Sequence, residues 1–303
     1  MINIGLFAAI LTIFWKFGKS VTTKLAASKT DSYTTSFATR GVGLIFSIFL
    51  LMIFSNYFLL PSENIFWIAF ILNSIILSIT TICLTVGFNK SDISIISPLL
   101  AFVPLFSIFP AIIVLNQVPT FLSGIGIVLV TLGAYMINIE EKENGYLEPL
   151  KSLYYDDGAR FAMYGVILSG MIPTFSKIGI TYVSELMWLF LISTSSTSIL
   201  GLILVIKIKL IDKESLNIRK SLNVSNMTII FLFLVGLFNM LLALTQYFAY
   251  NYIDVAYVQA IKRLNILLAI IVGSLYFHEP KFKQRFTAGL VMICGVILII
   301  FGM

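Results

Sequence analysis

Charge is scarce in this sequence. Of its 303 residues 11% are charged, against about 25% in an ordinary soluble domain. So little polar surface cannot cover a folded chain in water, which excludes a soluble enzyme, a disordered chain and a secreted scaffold. Cysteine is nearly absent: Cys83 and Cys294 both lie inside apolar stretches, where packing explains them better than disulfide or metal chemistry. There is one histidine, and no HExxH motif, Ser/His/Asp set or paired acids. The chain is therefore not read as an enzyme, and no catalytic residue, cofactor or metal is expected. Short alternating segments are missing too, which excludes a membrane β-barrel.

What the sequence has is apolar length. Apolar residues make up 59% and the mean hydropathy is +1.00. Stretches of roughly 20 apolar residues can cross a hydrocarbon core of about 30 Å as helices. They are read at 2–24, 34–58, 65–88, 94–115, 119–139, 161–183, 185–208, 228–251, 255–276 and 284–302. This predicts an all-α integral membrane protein with ten transmembrane helices. The start, Met1-Ile2-Asn3, is uncharged and no small-residue cleavage site follows, so the first stretch is expected to be a retained helix.

The most charged segment, from Glu140-Glu141-Lys142-Glu143 to Arg160, separates two sets of five stretches. The expected organisation is one five-helix repeat at 1–139, a charged linker at 140–160 and a second repeat at 161–303. A shift of 162 places Phe88-Asn89-Lys90-Ser91-Asp92 on Tyr250-Asn251-Tyr252-Ile253-Asp254, Gln117 on Glu279 and Gly133 on Gly295. Nearer the start of each half, a shift of 158 places Phe17-Gly18-Lys19 on Phe175-Ser176-Lys177. An odd number of spans per repeat makes the halves insert upside down relative to each other, an arrangement common in secondary transporters with a midplane binding site.

Fourteen of the 20 Lys and Arg fall in loops or at helix ends, as do all 14 Asp and Glu. The net charge of +6 therefore resides in six cations inside the spans: Lys16, Lys19, Arg40, Lys177, Lys262 and Arg263. This argues against nucleic-acid binding and for an intramembrane positive site. One such cation at a helix centre costs about 2.5–3.5 kcal/mol on insertion scales. A water-filled cavity that receives a carboxylate or phosphate would account for keeping them. Lys177, Lys262 and Arg263 are expected to share one layer of that cavity, while Lys16 and Lys19 share a helical face further along the first span. Arg40 and Lys19 can also snorkel to the headgroups, and Lys262, Arg263 and Lys177 can also act as structural anchors.

Softer signals accompany the cations. Pro98, Pro104 and Pro110 recur in the fourth span, and Pro173 precedes Lys177. Prolines free backbone carbonyls, either for packing bends or for a cavity. Gly126 and Gly133, with Gly289, Gly295 and Gly302, offer small faces for helix contact. Gln246, Tyr247, Tyr250 and Gln259 are candidate polar contacts to a ligand, although the tyrosines also suit an interfacial belt. The sequon-like Asn223-Val224-Ser225 and Asn226-Met227-Thr228 are read as accidental.

The ten spans, the repeat and the segment Gln259-Ala260-Ile261-Lys262-Arg263-Leu264-Asn265, followed by Gly273 and Tyr276-Phe277-His278-Glu279-Pro280, give the chain a family likeness. It resembles the drug/metabolite transporter superfamily in its ten-helix EamA-like form. The Lys-Arg pair is similar to that of plant triose-phosphate/phosphate translocators. By that resemblance Lys177, Lys262 and Arg263 would hold a substrate anion, a phosphorylated one among the candidates.

The expectation is thus a secondary transporter of a small organic anion, working by alternating access and exchange, with Lys19 and Lys16 assisting and Arg40 as a further contact. Proton coupling is less attractive because the nearest acids and the histidine, Glu185, Asp92, Asp254 and His278, are all near the span ends. Rival readings are an exporter of amino acids or other small metabolites and a lipid-phosphate flippase. Partners are the anionic substrate and the lipid bilayer, with a homodimer left open. No Lys or Arg occurs in the loops opposite the basic ones or at either terminus. The positive-inside rule then places both termini outside the cytoplasm of a plasma-membrane protein.

Overall fold

The computed structural model describes residues 2–27, 32–54, 60–139, 147–207, 226–277 and 282–303. Among the described residues every regular element is helical. The helices are α1 (Ile2–Ala27), α2 (Ser32–Phe54), α3 (Asn64–Lys90), α4 (Ile93–Leu100), α5 (Val103–Leu115), α6 (Phe121–Ile139) and α7 (Glu148–Tyr155). They continue with α8 (Asp157–Tyr182), α9 (Glu185–Lys207), α10 (Asn226–Tyr250), α11 (Val255–Lys262), α12 (Asn265–Phe277) and α13 (Phe282–Gly302). Six stretches among the described residues are long and apolar enough to cross a membrane: Ile2–Thr23, Asn64–Phe88, Ile95–Leu115, Asp157–Tyr182, Glu185–Ile203 and Asn226–Tyr250. Shorter apolar helices cover Thr39–Ile53, Phe121–Ile137 and Phe286–Gly302. His278, Glu279 and Pro280, the first sequon-like triplet and the acidic run at 140–143 lie outside the described residues.

The outer surface is apolar, with Met52, Ile113, Phe121 and Phe301 each more than three-quarters exposed. That is the surface expected of a chain solvated by lipid tails. Hydroxyls inside the spans return their protons to their own helix, as Ser74 does to the Phe70 carbonyl, Thr131 to Ile127 and Thr245 to Leu241. Back-bonding of this kind satisfies a Ser or Thr without water.

Two features depart from the sequence-derived spans. Part of the expected linker is helical: α7 starts with Pro149 in its first turn, and Asp156 caps α8 by accepting from the Gly158 and Ala159 amides. The fourth and ninth spans are each broken in two. Pro104 cannot donate to the Leu100 carbonyl, and the chain breaks at Ala101–Phe102 before α5 resumes. In the ninth span the break falls at Arg263–Leu264, where tight turns run from Arg263 N–H to Ala260 O and from Leu264 N–H to Ile261 O. The two broken spans coincide under the shift of 162, which carries α4 onto α11 and α5 onto α12 residue for residue.

The helices pack in crossed pairs, α3 against α8, α1 against α10 and α6 against α13, with α2 lying along α9 and α10. Glycine permits each close approach. A β-carbon on Gly87 would meet Ala162, one on Gly236 would meet Val42, and one on Gly133 would meet Met292. The pairing revises the shift for the first two helices of each half. Gly5 lies against Tyr252 and Ile253 as Gly158 lies against Lys90 and Ser91, a displacement of 153, and α2 reaches α9 by the same displacement. Phe17-Gly18-Lys19 therefore corresponds to Gly170-Met171-Ile172, and Lys177 corresponds to Lys24. Sparse identity favoured 158, whereas packing against the partner helix selects 153.

Candidate functional site

Five of the six cations expected within spans converge. Lys16 and Lys19 come from α1, Arg40 from α2, Lys262 from the last turn of α11, and Arg263 from the break before α12. Lys16 is within charge–charge range of Arg263, and Lys19 of both Lys16 and Arg40. Lys262 is within range of Lys16, Arg263 and Lys19. The five thus form an elongated array, Arg263 and Lys262 at one end, then Lys16, Lys19 and Arg40. All sit deep in the helical body, yet each keeps part of its surface accessible.

Neutral groups hold this array. Lys262 Nζ donates to Gln246 Oε1 at 2.8 Å, and Lys19 Nζ donates to Asn239 Oδ1 at 2.7 Å. Gln246 and the buried Gln259 each donate from Nε2 to the Tyr250 hydroxyl at 2.6 Å. Tyr247 lies in charge range of Arg40 and is hydrogen-bonded to Ser176, which also accepts from Asn73 Nδ2 at 2.9 Å. Carboxamide oxygens orient an ammonium without neutralising it, so the charges remain available to a ligand. Arg263 Nε is buried with no hydrogen-bond partner. The sole ion pair among the described residues, Arg160 with Asp157, lies on the exposed start of α8.

The broken ninth span shapes the local field. Lys262 stands at the C-terminal end of α11, where the helix dipole favours a cation, and α12 begins two residues beyond Arg263 with its positive end. Broken helices of this kind supply backbone groups to transporter binding sites.

Lys177 does not join the array. It is half-buried near the end of α8, and its charged neighbour is Asp254, just ahead of α11. The expected single layer of Lys177, Lys262 and Arg263 is thus divided, because Lys177 meets Asp254 at the start of α11 whereas Lys262 stands eight residues, about 12 Å, further along that helix. Burial pushes the Asp254 carboxyl above the ordinary carboxylate range, and Lys177 opposes that shift. Of the other polar groups singled out in the sequence, Gln246 is bonded to Lys262, Tyr247 is in charge range of Arg40, and Gln259 shares the Tyr250 hydroxyl with Gln246. Asn239, Ser176 and Asn73 went unnoticed in the sequence. The one available signal was that Asn239 stands seven residues before Gln246, two turns along the same face of α10.

The sequence matches the EamA-like transporter family twice, over residues 3–139 and 158–301. No curated protein matches it. A solved crystal structure superposes with a TM-score of 0.72 at 10% sequence identity, covering 98% of this chain and 94% of its own, a likeness of fold alone. With two family matches spanning nearly the whole sequence and apolar helices long enough to cross a bilayer, the chain belongs to the EamA-like transporter family of the drug/metabolite transporter superfamily and is a multi-pass membrane protein.

Proposed function

We propose that this protein is a secondary transporter of a small organic anion, carried in the cleft lined by Lys16, Lys19, Arg40, Lys262 and Arg263. The observation that supports this reading most is the convergence of five cations, two of them bonded to neutral amides, with no carboxylate beside any of them in the described structure. Uncompensated buried charge is costly, and an arriving anion relieves that cost. A carboxylate or phosphate can take two parallel hydrogen bonds from Arg263 and point-charge contacts from the lysines.

The architecture proposed is ten spans in two inverted repeats of five, counting α4–α5 and α11–α12 as one broken span each, with both termini on the non-cytoplasmic side of the plasma membrane. The residue-for-residue match of the broken spans supports the repeat, and the concentration of loop cations on one side supports the orientation. Alternating access follows from rocking one repeat against the other. Closing the cleft without an anion leaves the cations stripped of water, so the loaded carrier crosses more readily than the empty one and transport runs as exchange. Lys177 stands outside this cleft and is assigned no contact with the anion.

The test is counterflow in proteoliposomes. Vesicles preloaded with an accepted anion are expected to take up labelled anion at least about tenfold faster than empty vesicles, the rate ratio of about 1.4 kcal/mol of barrier. Equal rates in loaded and empty vesicles overturn exchange. Uptake of neutral amino acids unaffected by phosphate or carboxylates overturns the anion reading and favours the metabolite exporter.

A further inference from the structure

Resting on that reading, we infer that the transported anion carries two separated negative groups, one bound at each end of the cation array. The array is not a knot around a single point. Lys19 is tied to Asn239 and Lys262 to Gln246, and both amides lie on α10, seven residues apart. Seven residues of helix span about 10 Å, so the two amides stand two turns apart on α10, and the ammonium groups they hold remain within charge range of each other. Each ammonium has a second cation near it: Arg263 beside Lys262, and Arg40 beside Lys19. Lys16 lies between, within charge range of Arg263 and Lys19.

A single carboxylate or phosphate can neutralise only one of these ends. Bound beside Lys262 and Arg263, it leaves Lys19 and Arg40 near each other without a counter-charge. A molecule with an anionic group at each end of a short chain satisfies both at once. Each anionic oxygen sits about 2.8 Å from its ammonium nitrogen. Groups held by ammoniums whose amide partners stand about 10 Å apart along α10 are thus separated by about 5–8 Å. Short α,ω-dicarboxylates and phosphorylated short-chain acids share this chemistry, whereas inorganic phosphate and monocarboxylates lack the second group.

The test is direct binding to the purified full chain in detergent, at fixed ionic strength, across succinate, glutarate, adipate and pimelate, with butyrate and inorganic phosphate for comparison. Affinity is expected to pass through a maximum within the dicarboxylate series and to exceed that of butyrate by at least about tenfold. Lys19→Gln and Lys262→Gln are each expected to bring the best dicarboxylate down towards butyrate. The wild-type series decides the matter even if a variant fails to fold. A flat series in which butyrate and phosphate bind as well as any dicarboxylate overturns two-ended recognition and leaves the anion transporter standing. A dicarboxylate advantage that survives Lys19→Gln overturns the assignment of the second end. Binding by no anion of either kind overturns both readings.

Discussion

Gly126 of α6 and Gly295 of α13 face each other so closely that a β-carbon on Gly126 would lie 2.5 Å from the Gly295 carbonyl oxygen, and one on Gly295 would lie 2.7 Å from that of Gly126. The two helices therefore meet backbone to backbone, with Gly133 against Met292 and Gly302 against Ser123 extending the seam. In a bilayer, where lipid tails are as apolar as the helices, such close packing is a main source of association. Gly126→Val and Gly295→Val are each expected to force this seam apart and cost about 1–3 kcal/mol. Thermal unfolding in detergent checks this, with Gly124→Val as the control, since a β-carbon there meets nothing within 4 Å.

Lys262→Gln should separate stability from binding. Removing one of five converging cations relieves repulsion and desolvation, so the empty variant is expected to unfold at the same temperature as wild type or higher. Anion affinity should fall by about tenfold or more, through loss of a charge-assisted hydrogen bond. Ligand-induced thermal shifts on both proteins read the two effects independently.

Tyr250→Phe tests the support of Lys262. The Tyr250 hydroxyl accepts from Gln246 and Gln259 in fully buried surroundings. Its removal leaves two amide groups, that of Gln259 buried and that of Gln246 half-buried, short of an acceptor, and a cost of about 1–3 kcal/mol is expected. Gln246 also loses its tether, so the apparent KM for the anion should rise more than kcat falls. Wild-type KM in a folded Tyr250→Phe protein would show that Lys262 needs no such support.

Asp254→Asn should flatten a pH dependence. The Asp254 carboxyl is raised by burial above 3.8, so the folded state holds its proton more tightly than the unfolded state. Stability is then expected to fall as pH rises from about 3.8 through the raised folded value, because the folded form binds more protons across that window. The Asn variant lacks this slope. Denaturation midpoints measured across that range for the two proteins make the comparison.

Much of the candidate site was legible before the fold. The six span cations stood out because an apolar stretch tolerates a charge only at a cost, and Gln246, Tyr247 and Gln259 stood out as polar groups in the same helices. The breaks at Ala101 and Arg263 were not legible. Pro104 offered a signal for the first, but no proline marks the second. Asn239 was hidden because one carboxamide in an apolar run has several neutral explanations, and its role depends on a lysine 220 residues away in sequence.

The sequence by itself determined that this chain is a membrane protein and which of its apolar stretches contain cations. Those properties follow from composition along a local stretch, since transfer from water to lipid is decided residue by residue. Which cations meet was decided by the tertiary structure alone. Lys177 and Lys262 look equivalent in depth and charge, yet α8 carries one to Asp254 while the break after α11 leaves the other on Gln246. The reason is geometric. A residue's partner depends on which face its helix turns to its neighbours, and that is set by glycine contacts between helices distant in sequence.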